Sequence, residues 1–584
     1  MDGLSCHGTA EVRRLRRRGS VKQYRACLLA IVLGYLVLVG HFWFTTDDAY
    51  ITFRYARNLA EGWGPRFNLG AHAPVEGYSN FLWMLLCAGF ERGGLDPAPW
   101  ANRVSTLIGL ALIWQVHDHL RNRLGLSPAF TLTGLALFAL HPPLAVYSSS
   151  GLETLAFATL LFGLYRSLAR DRGDVVPWIT ALWSIGVALI RVEGIFWVGI
   201  LFLLSLAGVR RPSLRQLAQA AGLVVAVYGA YWIWRYDYYG NPFPNTVQAK
   251  VGFSVERLVR GYDYVMVQVL TQANLGILLG AGGVGLFGVH RRMALSHAAV
   301  VACCFGYAIL VGGDFMAFGR FLLPAWPFVV SLGSLGLAEA WRRGMPACRA
   351  GVSLLAGTAL VCGLLPAVDR FVVPYGIRQR FHFRHQVRVF VDEHDQWIRT
   401  RDLTQEKAEL GKALRLVLPE TDRLVLGSIG AVGYHSRLFV FDRNGLVTAV
   451  RHPGGGGLGS PGHDRTVPHS YFLAEGPDVV FPRLGPGLPD RGAEGWEMAE
   501  RGLVTTAARI VGRLRKEGLD ETFALRACPV TLDEGVSRVL LWAQAMSTED
   551  EVEAVNARTR SRLREYVESS DSVGFVAGWL ASAE

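Results

Sequence analysis

The stretch ACLLAIVLGYLVLVGHFWF, Ala26–Phe44, followed at once by TTDDAYITFRYAR, Thr45–Arg57, decides the architecture. The first part carries no Asp, Glu, Lys or Arg and is about long enough, at 1.5 Å rise per residue, to cross a bilayer. No small-residue cleavage site follows, so it reads as an anchor and not as a removable signal peptide. The second part places Asp47 and Asp48 where the chain leaves the membrane, with Arg54 and Arg57 close behind. Such a carboxylate pair has two readings. Asp48 can cap a helix beginning at Ala49, its charge favoured by the helix dipole. Alternatively the pair supplies a base and the arginines bind phosphate, and the positions of the other polar motifs decide between the two.

Of the 584 residues, 51% are hydrophobic and the mean hydropathy is +0.26, with the apolar residues bunched into long runs. That composition defines a polytopic α-helical membrane protein. The net charge of +11 comes from basic residues in short loops between runs, such as Arg13, Arg14, Arg16, Arg17 and Arg18. This pattern sets membrane topology and does not indicate a nucleic-acid partner. Of eight cysteines only Cys528 lies beyond residue 375, so the polar tail closes no internal disulfide.

With residues 1–25 in the cytoplasm, the first span leads outward. The run Phe81–Phe90 is too short to cross and reads as an interfacial helix in a first outer loop, 45–99. Ten further spans are expected at about 100–118, 127–147, 151–169, 177–190, 194–208, 217–236, 273–289, 296–312, 320–341 and 350–368, about 11 in all. Alternate loops then hold the arginines: Arg121 and Arg123; Arg166, Arg170 and Arg172; Arg210, Arg211 and Arg215; Arg291 and Arg292; Arg342, Arg343 and Arg349. An odd number of spans places the C-terminal part outside. The transmembrane part is thus 26–373 and the soluble part 374–584, a separate domain of common size.

The loops left to the outer face carry Glu76, Tyr78 and Asn80; Glu153; Arg191 and Glu193; Asn245; and Asp314 followed by Arg320. Basic loops alone set the topology, so the gathering of these groups on the side of Asp47 and Asp48 is a partly independent observation. It points to one membrane-level site facing outward. In the tail, residues 422–427 and 438–442 read as buried strands around a short helix 431–436, a parallel α/β arrangement. Gly427, Gly430 and Gly433 lack the dinucleotide-binding spacing and are read as close packing. The run Gly454–Gly462 reads as a flexible loop, with His463 and Asp464 after it as a weak metal or carbohydrate candidate.

Ionisable residues are nearly absent from the middles of the spans and no inverted repeat is visible, which favours a one-sided enzyme over a transporter. Outside the cytoplasm there are no nucleotide sugars, so a sugar donor would arrive through the bilayer as a polyprenyl phosphate. Its use requires a base for the acceptor hydroxyl and cations for the departing phosphate. Asp47 or Asp48 fits the first role; Arg54, Arg57, Arg191 and Arg320 fit the second.

The segments Asp47–Leu59 and Val75–Trp83 resemble the bacterial membrane glycosyltransferases of the GT-C class, nearest to the arabinofuranosyltransferases of the actinobacterial cell envelope. The likeness continues through Ser150–Thr154, Arg191–Gly194, Gly240–Thr246 and Gly313–Met316, and more loosely through Val432–Tyr434 and Phe441–Leu446. The resemblance implies a GT-C-like helical domain in a bacterial inner membrane. It also implies a polyprenyl-phosphate sugar donor, a cell-envelope glycan acceptor, and inverting displacement with Asp47 or Asp48 as base. Glu76, Tyr78, Asn80, Glu153, Glu193, Asn245 and Asp314 are then expected around sugar and acceptor. A divalent metal at the aspartate pair stays open. Two alternatives remain, a flippase for lipid-linked sugar and a non-catalytic envelope assembly protein.

Overall fold

The structure is a computed structural model that describes residues 5–70, 73–169, 175–207, 212–246, 254–381, 391–448, 450, 466–487, 495–532 and 537–568. The Gly454–Gly462 loop, His463 and Asp464 lie outside the described residues, as do Arg170, Arg172, Arg210 and Arg211.

The helical part runs through α1 (Ser5–His41), α2 (Asp47–Ala60), α3 (Phe81–Arg92), α4 (Pro97–Asp118), α5 (Pro128–Ala139), α6 (Pro142–Ser148), α7 (Thr154–Leu168), α8 (Pro177–Ile190), α9 (Gly194–Ala207), α10 (Leu214–Tyr239), α11 (Val255–Thr271), α12 (Ala273–Gly285), α13 (Arg291–Leu310), α14 (Trp326–Arg343) and α15 (Pro346–Leu364). Among the described residues five helices are long and apolar enough to span a membrane, or seven if two bent pairs each count as one span. The protein is therefore a multi-pass membrane protein. The expected span 127–147 is one of these pairs: α5 and α6 meet at 54°, where Pro142 and Pro143 remove two amide donors. In the other pair, α11 precedes α12 at 93° and answers to no span expected from sequence, because Arg257, Arg260 and Asp263 interrupt its apolar run. The segment at 320 opens as a 3-10 turn, Arg320–Ala325, with Pro324 inside it.

Small residues let the central helices approach closely. A Cβ on Gly336 of α14 would collide with the Ala281 carbonyl oxygen of α12, and one on Gly285 would lie 3.2 Å from the Gly336 amide. In hydrocarbon, where helices gain little from hydrophobic burial against each other, such contact supplies the attraction.

Beyond the helices, α16 (Glu393–Val417) leads into a five-stranded sheet, β1 (Arg423–Leu426), β2 (Phe439–Asp442), β3 (Val479–Leu484), β4 (Phe523–Thr531) and β5 (Ser537–Ala545), in the order β2-β1-β3-β5-β4. The helix α17 (Gly430–Ser436) links β1 to β2, which pair in parallel from Arg423 with Phe439 to Leu426 with Asp442. β1 also pairs in parallel with β3, Leu424 with Val479, but β3 pairs antiparallel with β5, and β5 with β4, so the sheet is mixed and the parallel expectation covers only part of it. Helices α18 (Trp496–Glu517) and α19 (Glu549–Glu568) complete the tail. The tail is less separate than its composition implies. Trp397, Leu414, Leu424 and Val440 belong to one continuous core with Phe42, Phe53 and Phe318 of the helical part.

Gly336→Leu is expected to lower the detergent unfolding temperature, because overpacking a close crossing costs about 1–3 kcal/mol. Gly280→Leu, with nothing within 4 Å of its Cβ position, should leave it unchanged, and equal losses in the two variants would contradict this packing.

Candidate active site

Helix α2 begins at the aspartates because Thr46 is extended at its N-cap, with φ −87° and ψ 154°. The Thr46 amide donates to Ser150 O at 3.0 Å, which ties the aspartate pair to the Ser150–Gly151 turn. Gly151 has φ +78°, and a Cβ there would press on Ala49 and Thr45 at 2.8 and 2.9 Å. The close approach of this turn to α2 therefore requires glycine.

The two aspartates have different surroundings. Asp47 Oδ1 accepts a hydrogen bond from the Ala431 amide at 2.8 Å, in the first turn of α17. Gly430 allows that approach, since a Cβ would strike the Asp47 carbonyl oxygen. Asp48 interacts electrostatically with Arg320. Arg320 is buried and its Nε lies 2.7 Å from Asp314 Oδ2.

A second chain of polar groups continues inward. Thr52 donates to Asn80 Oδ1 at 3.2 Å, Asn80 donates to Glu153 Oε2 at 2.8 Å, and Arg191 bridges Glu153 at 2.5 Å and Glu193 at 2.6 Å. Tyr307 donates to Glu193 at 3.2 Å. Both Arg191 and Arg320 stand over the Phe321 ring, 5.9 and 5.3 Å from its centroid. They line one small cavity with Glu193, Tyr307 and Thr154. The structure thus brings together Asp48, Asn80, Glu153, Arg191, Glu193, Asp314 and Arg320.

Glu76, Tyr78 and Asn245 form a neighbouring group. Arg235 holds Glu76 at 2.6 Å and Pro242 O at 2.9 Å, and the Asn245 amide donates to Glu76 O at 3.1 Å. Burial pushes the Glu76 carboxyl up to about 7 even though Arg235 opposes the shift. The Tyr78 hydroxyl accepts from Tyr239 at 3.3 Å.

Arg54 and Arg57 are committed elsewhere. Arg54 is buried and donates to Phe67 O at 2.7 Å, Gly433 O at 2.8 Å and Leu438 O at 2.7 Å. Arg57 donates to Tyr434 O at 2.8 Å, pairs with Glu91 at 3.4 Å and lies 3.5 Å over the Tyr434 ring. Both fasten α17 to α2 and do not join Arg191 and Arg320. Nearby, Asp442 accepts the Asn444, Leu446 and Val447 amides, and burial raises its carboxyl to about 6. The turn it shapes presents Gly445 O to Asn245 Nδ2 at 3.2 Å.

Sequence reading passed over Arg235, Tyr307 and Glu91, which pair with residues it had singled out. The signal for Arg235 was present, an arginine that follows the long apolar run of α10. Among the described residues one group of three potential metal ligands occurs, Asp369, His394 and Asp395. It includes neither Asp47 nor Asp48.

The profile of a domain of unknown function, DUF8728, matches residues 395–521. The chain is similar to the terminal beta-(1->2)-arabinofuranosyltransferase of Corynebacterium glutamicum, 26% identical over 332 residues, covering 49% of this chain and 47% of the relative. It is likewise similar to the terminal beta-(1->2)-arabinofuranosyltransferase of Mycobacterium tuberculosis, 29% identical over 320 residues, covering 47% and 50%. The chain spans about half the length of these curated relatives. Among solved structures it is similar to ArnT from Cupriavidus metallidurans bound to undecaprenyl phosphate. The TM-score is 0.51 at 14% identity, over 90% of this chain and 98% of that one. The chain shares its fold with ArnT.

Arg54→Gln strips three backbone carbonyls of a charged donor, and a stability loss of about 2–4 kcal/mol is expected. It should appear as a lower unfolding temperature together with faster proteolysis of the tail, and unchanged proteolysis would contradict the fastening role.

Proposed function

We propose that this protein is a membrane glycosyltransferase that moves a sugar from a polyprenyl-phosphate donor to a cell-envelope glycan on the outer face, with inversion at the anomeric carbon. The similarity to terminal arabinofuranosyltransferases supports arabinofuranose as that sugar. The observation that supports the reading is the electrostatic interaction of Asp48 with the buried Arg320, which lines one cavity with Arg191 of the Asn80–Glu153–Arg191 chain. The fold shared with ArnT supports it further.

Asp48 is the general base in this mechanism. Its carboxylate takes the proton of the acceptor hydroxyl as that oxygen attacks the anomeric carbon, and the bond from that carbon to the phosphate oxygen breaks. Arg191 and Arg320 balance the charge left on the phosphate. Asp47 is a positioning residue, its carboxylate directed by the Ala431 amide. Glu153, Glu193 and Asp314 orient the arginines, while Glu76, Tyr78, Asn80 and Asn245 shape the space for sugar and acceptor.

The charges favour an additional cation. Asp48, Glu153, Glu193 and Asp314 outnumber Arg191 and Arg320, and the donor phosphate adds further negative charge. If a divalent ion takes part, Asp48 would hold it, and it would supply positive charge against the departing phosphate.

Asp48→Asn is expected to reduce transfer from a synthetic polyprenyl-phosphate sugar by about 10²–10⁴-fold. Asp47→Asn keeps an acceptor for the Ala431 amide and should retain most activity. Full activity in Asp48→Asn, or equal losses in the two variants, would overturn the assignment. Chelation of the purified protein should stop turnover until Mg²⁺ or Mn²⁺ is returned, and turnover that persists in EDTA would remove the metal from the mechanism.

A further inference from the structure

The helices that meet at Arg191, Glu193 and Arg320 frame a second site at their other ends. A cavity of about 420 Å³ is lined there by Tyr165 and Leu168 of α7, Leu201 and Leu204 of α9, and Arg291 and Arg292 of α13. Its size falls within the range of small-molecule sites. Tyr307, which bonds Glu193, lies about 24 Å farther along α13 than Arg291 at the usual helical rise, so the cavity is remote from Asp48.

The cavity has two chemistries. Leu168 and Leu201 are buried in its wall, and Leu204 extends that apolar surface. At its mouth Arg291 and Arg292 are exposed, and among the described residues neither has an ion-pair partner. Arg342 and Arg343, also basic and near this end, are both paired with Glu339. The N-cap of α13, His290, makes no side-chain capping bond, so the amides of this first turn add to the positive potential.

We propose that this cavity binds an anionic phospholipid from the leaflet opposite Asp48. Its phosphate sits between Arg291 and Arg292 at the start of α13, and an acyl chain runs along Leu168, Leu201 and Leu204. Charge complementarity selects the headgroup: a zwitterionic lipid brings its own ammonium beside the two guanidinium groups and offsets its phosphate, whereas basic pockets between spans suit headgroups with net negative charge. The binding is non-covalent and independent of sugar transfer.

Native mass spectrometry of the full-length protein in detergent, mixed with phosphatidylglycerol or phosphatidylcholine, tests this. Phosphatidylglycerol should remain bound in preference to phosphatidylcholine. The double variant Arg291→Gln/Arg292→Gln should lower phosphatidylglycerol occupancy by about tenfold or more. Arg349→Gln, a basic position outside the cavity, should leave it unchanged. Leu204→Trp fills the apolar part without altering charge and should also displace the lipid, so it carries the test alone if the double variant does not fold. Unchanged occupancy in the charge and cavity variants, equal loss in Arg349→Gln, or displacement by excess inorganic phosphate would overturn the proposal.

Discussion

The structure depends on one joint, the seating of α17 on α2. Gly430 brings the tail helix against the Asp47 backbone, the Ala431 amide takes up the Asp47 carboxylate, and Arg54 reaches across to Gly433 O and Leu438 O. An arginine with three carbonyl acceptors in a buried site is held far more rigidly than a surface ion pair, because every lost bond leaves a desolvated polar group. The first turn of α2 is thereby fixed from two sides, by Ser150 O on the membrane side and by α17 on the other. A carboxylate whose neighbour is held in this way has few orientations to choose from, which is the preorganisation the proposed base, Asp48, requires.

Around Arg191 and Arg320 the buried charges form two connected sets. One joins Asn80, Glu153, Arg191, Glu193 and Tyr307; the other joins Arg320 to Asp314. Buried ion pairs add little to stability relative to apolar packing, but removing one member leaves the other charge stranded. Their concentration at one end of the helices, where α7 and α9 begin and α13 ends, is therefore better explained by a site than by stability.

Much of this was legible in the chain. Asn80, Glu153, Arg191, Glu193 and Asp314 do converge, because they lie at or just beyond helix ends that meet, Asn80 and Glu153 as N-caps. The roles of Arg54 and Arg57 were not legible. Their spacing from Asp48 suits a phosphate, yet their acceptors are carbonyls about 380 residues away, a partner that no local pattern announces. The bend between α11 and α12 was hidden for a related reason. Polar residues inside α11 lower its hydropathy, and their burial depends on neighbours remote in sequence. The mixed half of the sheet was missed because β4 and β5 lie far along the tail and pair with each other and with β3, not with the strands first recognised.

The aspartate pair illustrates how a symmetric motif becomes asymmetric. Adjacent residues at a helix start project in directions about 100° apart, as 3.6 residues per turn require. One carboxylate therefore turns toward the tail and the other toward the membrane helices. Asp47 meets an amide, a neutral donor that fixes orientation; Asp48 meets the field of a guanidinium that is itself shared with Asp314. In the proposed mechanism this asymmetry gives the proton of the acceptor hydroxyl to Asp48 and leaves Asp47 to anchor the tail.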